Sequence, residues 1–249
     1  MAIDTEKPRN VQVLIMAAGL GTRMKSGLAK VLHKLDGRPL INHVCEAALK
    51  LKPQKIYVIV GHQAHDVEAA VLNETDRNIA IFALQKEQLG TGDAVNAARG
   101  LIESGCATLV VLSGDVPLIR SETLSALEKL HHDFDGSGAA CTILSVRLDD
   151  PSGYGRVVRS GDGSFVKIVE QKDASDEERK VDEINSGIYC FDSKKLFAAL
   201  SEVKNENAQG EYYLTDVPQI LRRQGEKVAV FQADEPREIE GVNDRRQLA

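Results

Sequence analysis

One stretch of the chain, an apolar run that ends abruptly in a glycine-rich basic loop, restricts the possible folds more than any other feature. The run, VLIMAA at residues 13–18, is typical of a strand that is buried on both faces of a sheet. The loop after it begins with Gly19 and Gly21 and contains three basic residues, Arg23, Lys25 and Lys30. Glycines let backbone N–H groups approach phosphate oxygens while cations offset their charge, so this pattern predicts a phosphate-binding loop.

Two familiar phosphate-binding motifs are absent from this loop. A dinucleotide fingerprint requires G-x-G-x-x-G, and the position of the last glycine is occupied by Met24. A Walker loop requires G-x-x-x-x-G-K-[ST], and the loop has no glycine-lysine pair followed by serine or threonine. The sequence therefore predicts a third kind of phosphate loop, with basic side chains inside the turn.

Composition and charge narrow the class of partner. A net charge of −6 over 249 residues argues against broad binding to nucleic acid or to anionic membranes, because both favour a basic surface. No apolar run approaches the roughly 18 residues of a membrane span, and the polar N-terminus lacks the apolar core of a signal peptide. The cysteines lie in apolar runs without metal-ligand spacing, which favours buried free thiols; they are Cys45, Cys106, Cys141 and Cys190. We therefore expect a cytoplasmic protein with small-molecule partners, without nucleic-acid or membrane partners.

Strands and helices alternate through the first half of the chain. Apolar runs predict further buried strands at residues 55–61, 79–84 and 108–112. Helical spacing predicts helices at Pro39–Leu51, at residues 65–72 and from the turn at Gly90 to about Leu101. This alternation predicts a parallel sheet with helices on both faces. Because ligands gather at the carboxyl ends of parallel strands, the loops that begin at Gly19, Gln85 and Ser113 should converge.

The second half is predicted to add antiparallel structure. A Gly-Asp-Gly turn between Arg156–Arg159 and Phe165–Glu170 predicts a hairpin. Ser121 is predicted to be the N-cap of an amphipathic helix. The other predictions are a buried strand at residues 183–191, a helix at 212–225 and a loop at 238–249. We expect a single domain over residues 1–249. Residues from about 11 to 115 should form a nucleotide-binding half, and residues from about 116 to 249 a half that binds the sugar phosphate.

Several motifs resemble one enzyme family when they are taken together and in order. They are MAAGLGTRMKSGLAKVLHKLDGRPL, QKEQLGTGDAV, LSGDVPLI, DDPSGYGRVVR, IVEQKDAS, EINSGIY, NAQGEYYLTDV and GVNDR. From about Val11 to the C-terminus the chain resembles the uridylyltransferase domain of the bacterial bifunctional N-acetylglucosamine-1-phosphate uridylyltransferases/glucosamine-1-phosphate acetyltransferases. The resemblance implies an α/β fold, a Rossmann-like (glycosyltransferase-A-like) nucleotidyltransferase whose mostly parallel central sheet is flanked by helices and carries a small antiparallel sugar-binding insertion.

The resemblance also implies a reaction, the Mg²⁺-dependent transfer of uridylyl from UTP to N-acetylglucosamine 1-phosphate. The products would be pyrophosphate and UDP-N-acetylglucosamine, a precursor for peptidoglycan and lipopolysaccharide. Catalysis of such transfers consists mostly of positioning and electrostatic stabilisation. Arg23 can direct two N–H donors at the leaving phosphates, and Lys30 can act as a point charge near the α-phosphate.

The metal ligands implied by the resemblance are Asp115 and Asn243. A lone aspartate in a turn more often caps that turn, but the position of Asp115, at the carboxyl end of a strand and near the phosphate loop, favours a metal ligand. Mg²⁺ is bound by few carboxylates and keeps waters and phosphate oxygens as its other ligands. One carboxylate and one amide fit this sparse coordination. Without the resemblance, Asn243 would be interpreted as a turn residue.

The remaining site residues also follow from the resemblance. The uracil is expected against Gln85 and the Gly90-Thr91 turn, where the glutamine amide offers both a donor and an acceptor for O4 and N3–H. The expected nucleotide-binding residues are Met16, Ala17, Ala18, Gly19, Gly21, Lys30, Gln85, Gly90, Thr91, Ser113, Gly114 and Asp115. The expected sugar-binding residues are Gly155, Glu170, Asn185 and Asn243. Glu170 is not expected to be a general base, because a phosphate monoester oxygen needs no deprotonation to attack near neutral pH.

The chain departs from the family pattern at four positions. Ala29 stands where a proline is usual, Asp93 replaces a usual histidine, and Ser113 and Ser186 replace a larger residue and a threonine. None of these departures removes a proposed catalytic group, so we expect them to affect affinity more than activity.

The bifunctional enzymes continue into a β-helix of hexapeptide repeats, which holds their acetyltransferase site and trimer interface. No such repeats occur before Ala249, so the sequence is either truncated or naturally single-domain, and we expect no acetyltransferase activity and a monomer or weak oligomer. Two alternative functions remain open at this stage. One is nucleotidyl transfer to another sugar 1-phosphate, and the other is a non-catalytic module that binds a nucleotide sugar.

Overall fold

The computed structural model describes residues 10–102, 108–242 and 244–248. Its strands, in chain order, are β1 Val11–Met16, β2 Lys34–Leu35, β3 Arg38–Pro39, β4 Ile56–Val60, β5 Ala80–Leu84, β6 Thr108–Ser113, β7 Cys141–Arg147, β8 Arg156–Arg159, β9 Phe165–Val169, β10 Glu183–Asp192 and β11 Val228–Gln232. Its α-helices are α1 Leu40–Leu49, α2 Ala64–Leu72, α3 Thr91–Ala97, α4 Ser121–Asp133, α5 Asp176–Arg179, α6 Ser193–Leu200, α7 Val217–Arg223 and α8 Arg245–Leu248. Short 3-10 helices occupy Thr22–Met24, Lys30–Leu32, Phe134–Gly136, Leu214–Asp216 and Pro236–Ile239.

The main sheet has the strand order β11-β7-β10-β6-β1-β4-β5. The strands of the first half are parallel: β1 pairs with β4 on one side and with β6 on the other, so that Ile15 lies opposite both Val58 and Leu112. The predicted parallel sheet is therefore confirmed. β10 lies between β6 and β7 and is antiparallel to both, and the predicted hairpin, β8 with β9, branches from β10.

Helices cover both faces of this sheet, as the alternation of strands and helices predicts. Along β1, Val13 and Ile15 belong to an apolar cluster with residues of α1, α2 and α4. Leu14 belongs to a second cluster on the opposite face, with residues of α3, α6 and α7. The strand is apolar on both faces because both faces pack against helices. Within the described ranges, no helix combines the length and apolarity needed to cross a bilayer.

Some element boundaries differ from the predictions. Ser121 is the first residue of α4 and not its N-cap, because Arg120 is the last extended residue. The helix predicted at residues 212–225 begins as a 3-10 turn, and α7 starts at Val217, where Pro218 fits the first turn because its missing N–H is not needed there. The tail predicted as a loop contains a 3-10 turn and α8.

The predicted state of the cysteines agrees with the structure where it is described. Cys45, Cys141 and Cys190 are buried free thiols, and Cys106 lies outside the described residues. Burial raises the pKa of the Cys45 thiol to about 12, which keeps it protonated near neutral pH. These thiols therefore act as small apolar core residues.

Candidate active site

A cleft of about 270 Å³ opens at the carboxyl ends of β1, β5 and β6. The loops that begin at Gly19, Gln85 and Ser113 converge there, as expected from the parallel sheet. The residues that line the cleft are Met16, Ala17, Ala18, Gly19, Lys30, Val31, Gln85, Gln88, Gly90, Thr91, Ala94, Ser113, Asp115 and Glu211. All the residues expected to bind a nucleotide are among them except Gly21 and Gly114.

These two glycines do not line the cleft, but they contact residues that do. Gly21 has a φ of +61°, and a Cβ on it would lie 2.6 Å from the Cβ of Lys30. A side chain at position 21 would thus displace Lys30 or the loop that carries it. The N–H of Gly114 donates to the carbonyl oxygen of Met16 over 2.9 Å, which joins the end of β6 to the end of β1.

Lys30 and Asp115 form an ion pair inside the cleft. Asp115 is only 8% exposed, and its Oδ1 accepts a hydrogen bond from the Ser113 hydroxyl over 2.5 Å. One carboxylate oxygen therefore contacts the Lys30 ammonium, and the other accepts from the Ser113 hydroxyl. Both oxygens of this carboxylate are thus held in place next to the phosphate loop.

The C-terminal segment reaches the same carboxylate-bearing turn. The N–H of Val242 donates to the backbone carbonyl oxygen of Asp115 over 2.8 Å, which places the residue immediately before Asn243 against Asp115. Asn243 itself lies outside the described residues. Among the described residues, no group of three or more His, Cys, Asp or Glu side chains could hold a metal ion. One buried carboxylate beside the phosphate loop fits a sparsely coordinated divalent cation, whose other ligands are waters and phosphate oxygens.

Arg23 lies apart from this group. It is exposed within the 3-10 turn Thr22–Met24, and it lines a separate depression together with residues of the C-terminal segment, among them Asp244 and Arg246. Lys30 and Asp115 therefore line the cleft together, and Arg23 lines the other depression.

The Gln85 turn, residues 85–92, forms one wall of the cleft. Gln85 is 5% exposed, and its Nε2 donates to the carbonyl oxygen of Gly90 over 3.2 Å and to Oδ2 of Asp93 over 2.9 Å. Both amide protons are thus used within the protein. The expectation that the amide offers a donor as well as an acceptor to a base is wrong in this conformation, because Asp93 takes the donor.

A segment from the second half, residues 211–214, holds the Gln85 turn in place. The N–H of Tyr212 donates to the carbonyl oxygen of Leu89, and the N–H of Gly92 donates to the carbonyl oxygen of Tyr212, both over 2.7 Å. The N–H of Leu214 donates to the Thr91 hydroxyl over 3.0 Å. The same segment contributes Glu211 to the lining of the cleft. The wall is therefore built from residues that are far apart in the sequence.

Three of the residues expected to bind a sugar lie together within the described part of the chain. They are Gly155, Glu170 and Asn185, and we call them the Glu170 group. The N–H of Asn185 donates to the carbonyl oxygen of Gly155 over 2.9 Å, and a Cβ on Gly155 would lie 3.5 Å from both carboxylate oxygens of Glu170. β10 is antiparallel to β6, so Asn185, near the start of β10, lies toward the carboxyl end of β6. The Glu170 group and Asp115 are therefore on the same edge of the sheet.

Two features of the Glu170 group are suited to binding hydroxyl groups. Asn185 donates through Nδ2 to the Tyr189 hydroxyl over 2.7 Å, and its buried Oδ1 has no hydrogen-bond partner among the described residues. Glu170 accepts from the Thr215 hydroxyl over 3.1 Å. Burial raises the pKa of Glu170 above its usual value, and the charges of neighbouring carboxylates such as Asp173 raise it further. The hydrogen bond from Thr215 partly lowers this pKa. An orphaned acceptor and a poorly solvated carboxylate both gain from a donor ligand.

Four residues of the cleft were not predicted from the sequence, and they are Val31, Gln88, Ala94 and Glu211. Gln88 and Glu211 occur in the motifs QKEQLGTGDAV and NAQGEYYLTDV, which carried the family resemblance. Their proximity to the cleft depends on the contact between residues 89–92 and 212–214, and no local spacing indicates that contact. From the sequence, only their occurrence in these motifs indicated that Gln88 and Glu211 belong to the site.

This fold and site define a nucleotide-binding α/β transferase. A family model described as Nucleotidyl transferase matches residues 12–235. The bifunctional protein GlmU of Bacillus velezensis is 49% identical over 236 residues, which are 95% of this chain and 50% of that protein. The bifunctional protein GlmU of Lactobacillus johnsonii is 48% identical over 240 residues, 96% of this chain and 50% of that protein. The chain thus spans about half the length of the curated relatives it matches.

Solved structures show the same fold at low sequence identity. A UDP-glucose pyrophosphorylase complexed with UDP-glucose has a TM-score of 0.73 at 18% identity, over 89% of this chain and 90% of that chain. A putative glucose-1-phosphate thymidylyltransferase from Bacillus anthracis, in complex with a sucrose, has a TM-score of 0.73 at 20% identity, over 96% of this chain and 92% of that chain. The chain belongs to the nucleotidyl transferase family.

Proposed function

We propose that the chain transfers uridylyl from UTP to N-acetylglucosamine 1-phosphate, forming UDP-N-acetylglucosamine and pyrophosphate. The main supporting observation is the order of the strands. β6 and β1, which lead to Asp115 and to the loop with Lys30, lie between β5, which leads into the Gln85 turn, and β10, which carries Asn185 of the Glu170 group. A base and a sugar bound to these regions would place their phosphates at the cation and the carboxylate. In a bacterial cytoplasm the product would serve as a precursor for the cell wall and lipopolysaccharide.

The reaction brings together two anions, so its barrier consists largely of charge repulsion and positioning. A phosphate oxygen of the sugar phosphate forms a bond to the α-phosphorus of UTP while the bond from that phosphorus to the leaving pyrophosphate breaks. Lys30 can hold its ammonium at these phosphates, because Asp115 orients it and Gly21 packs against it. Removing one such donor typically lowers the rate by about 10²–10³-fold.

Mg²⁺ would be held by Asp115, with Asn243 as the second protein ligand that we propose. When bound, the ion neutralises part of the charge on the triphosphate. The Ser113 hydroxyl on Oδ1 fixes the carboxylate in one orientation, as is usual for groups that support a metal ligand. The backbone contact from Val242 to Asp115 keeps the C-terminal segment next to the site.

The two ends of the substrates would be recognised by acceptor atoms. Oε1 of Gln85 can accept the N3–H of uracil, because Nε2 is already used by Gly90 and Asp93. In the Glu170 group, Oδ1 of Asn185 and the carboxylate of Glu170 can accept from hydroxyl or amide groups of the sugar. A buried acceptor that discriminates by a hydrogen bond rejects a ligand lacking the matching donor more strongly than an apolar pocket does.

Pyrophosphate release tests this proposal directly. We expect turnover with UTP and N-acetylglucosamine 1-phosphate, loss of turnover when EDTA removes divalent cations, and recovery with added Mg²⁺. Ready turnover of glucose 1-phosphate with little turnover of the N-acetylated sugar would overturn the assignment of the sugar. The absence of turnover with every sugar phosphate, together with retained nucleotide binding, would favour a non-catalytic module.

Asp115→Asn tests the metal assignment within the same assay. The amide preserves the shape of the side chain but removes the charge next to Lys30, so we expect Mg²⁺-dependent turnover to be abolished. Asp76→Asn, an exposed aspartate in the turn after α2, is a suitable control for loss of one negative charge. Unchanged activity of Asp115→Asn would refute the role of Asp115 as a metal ligand.

A further inference from the structure

We infer that Asp93 determines the pyrimidine specificity of the cleft by fixing the orientation of the Gln85 amide. The inference rests on the proposed function, because it concerns the base that occupies the cleft during that reaction.

Two acceptors face Nε2 of Gln85. One is the carbonyl oxygen of Gly90, at 3.2 Å, and the other is Oδ2 of Asp93, at 2.9 Å. An ionised carboxylate and a carbonyl oxygen can only accept hydrogen bonds. If the amide were flipped, Oε1 would face both of them and the interaction would become repulsive. Asp93 thus adds a charged acceptor that holds the amide with its oxygen directed away from these two partners.

The consequence for the cleft follows from the atoms that remain. Gln85 lines the cleft, and Oε1 has no hydrogen-bond partner among the described residues. The residue therefore presents an acceptor and no donor to a base. Uracil carries a donor at N3, which matches this acceptor. Cytosine carries a lone pair at N3, which the same acceptor repels. A fixed amide can therefore favour UTP over CTP.

Asp93 acts on the base only through Gln85. It does not line the cleft; it lines a separate depression behind the Gln85 turn, with Gly92, Asn96 and Tyr212. Its backbone is held at the start of α3, where the N–H of the preceding residue, Gly92, bonds to the carbonyl oxygen of Tyr212. Asp93 is thus a positioning residue, which contacts Gln85 from outside the cleft.

The helix α2 supplies a matched control. Asp66 is the third residue of α2, as Asp93 is the third residue of α3, and each is the acidic residue of the first turn of its helix. An alanine at either position removes the same favourable interaction with the helix N-terminus. Only Asp93 contacts Gln85. A comparison of the two variants therefore separates helix stabilisation from orientation of the amide.

The experiment measures kcat and KM for UTP and CTP with N-acetylglucosamine 1-phosphate, and the Kd of both nucleotides by calorimetry, in the unmodified chain, D93A and D66A. We expect D93A to lower the UTP-to-CTP ratio of kcat/KM by about tenfold, the factor that corresponds to about 1.4 kcal/mol. The change should arise in KM and Kd more than in kcat. D66A should leave the ratio unchanged. D93N, whose Oδ1 can still accept from Nε2, should restore most of it.

Several results would overturn the inference. They are an unchanged ratio in folded D93A, equal loss of discrimination in D66A, and equal affinity of the unmodified chain for UTP and CTP. If D93A does not fold, D93S gives the same measurement, because its hydroxyl is too short to reach Nε2 and serine is tolerated at helix starts. Failure of the proposed function is distinguishable, because it would abolish turnover in the unmodified chain while the Kd ratio still tests Asp93.

Discussion

The backbone N–H of Gly92 donates to the carbonyl oxygen of Tyr212 over 2.7 Å, and this bond joins the two halves of the chain at the wall of the cleft. The Gln85 turn is therefore not an independent loop of the first half. Its conformation depends on the 211–214 segment, which packs so closely that there is no space for a side chain at Gly90 or Gly92.

Replacing Gly90 by alanine should disrupt this contact. Gly90 has a φ of +114°, and a Cβ on it would lie 2.6 Å from the carbonyl oxygen of Tyr212. We expect G90A to lower the free energy of unfolding by about 1–3 kcal/mol and to raise the KM for UTP. Urea denaturation and steady-state kinetics measure both. The control is G100A, since Gly100 is exposed and a Cβ on it would have no heavy atom within 4 Å. Equal urea midpoints for the two variants would contradict the prediction.

Replacing Ser113 by alanine should weaken metal binding without removing a ligand. The Ser113 hydroxyl donates to Oδ1 of Asp115, and groups that support a metal ligand typically contribute about 10–100-fold in metal affinity. We expect S113A to need about tenfold more Mg²⁺ for half-maximal turnover, with little change in kcat at saturation. S125A, at an exposed serine of α4, should behave like the unmodified chain. Identical Mg²⁺ titrations for both variants would exclude the supporting role of Ser113.

Replacing Glu170 by glutamine should separate stability from substrate binding. Burial raises the pKa of Glu170 in the folded chain, so the folded state binds a proton more tightly than the unfolded state, and the ionised carboxylate destabilises the fold at neutral pH. We expect E170Q to have a higher Tm than the unmodified chain at pH 7, with the difference shrinking as the pH falls and Glu170 becomes protonated. The KM for the sugar phosphate should rise by about tenfold, because a charged acceptor is lost. A lower Tm for E170Q at pH 7 would show that the charge stabilises the fold.

The ion pair between Arg159 and Glu183 should contribute more to stability than an exposed pair nearby. Glu183 is 2% exposed and accepts from Nε and an Nη of Arg159 over 2.7 Å each. We expect R159L to lower the free energy of unfolding by about 3–5 kcal/mol, because it removes the opposite charge from a buried carboxylate. R147L, which breaks the exposed pair with Asp182, should cost less than about 1 kcal/mol. Denaturant unfolding of both variants tests this difference.

The pH dependence of the same pair has a definite sign. Burial alone would raise the pKa of Glu183, but hydrogen bonds from Arg159 and Ser145 lower it below its usual value. The stabilisation is therefore present above the pKa of an unfolded glutamate and is lost as the pH falls through the lowered value. The stability deficit of R159L should accordingly shrink in acid. A deficit that stays constant below pH 4 would show that it arises from lost packing and not from charge.

The parts of the fold that sequence reasoning predicted are those determined by local patterns. The apolar run of β1 predicted a strand buried on both faces, and the three loops predicted to converge do line one cleft. The position of β10 between β6 and β7 was not predicted, because no local signal specifies which distant strand pairs with which. The proximity of Gly155, Glu170 and Asn185 depends on that pairing and was expected only from the family resemblance.

The orientations of side chains in the site could not be predicted from the sequence either. Gln85 was predicted to face a base, but the use of its Nε2 by Asp93 depends on a contact within the fold. Arg23 was predicted to direct its N–H donors at the leaving phosphates; the structure shows it lining a depression with Asp244, and its role stays a prediction. The spacing of basic residues in a loop shows which charges are present. It does not show where each side chain points.

The central position of β6 has a consequence for any attempt to divide the chain. β6 is almost entirely buried, with β1 from the first half on one side and β10 from the second half on the other. A fragment that ends after Asp115 would leave the edge of β6 without its partner strand, exposing unpaired backbone groups and apolar side chains. Such edges pair readily with other copies. We expect this fragment to aggregate when expressed alone, so the half that we propose to bind the nucleotide should not fold without the half that we propose to bind the sugar.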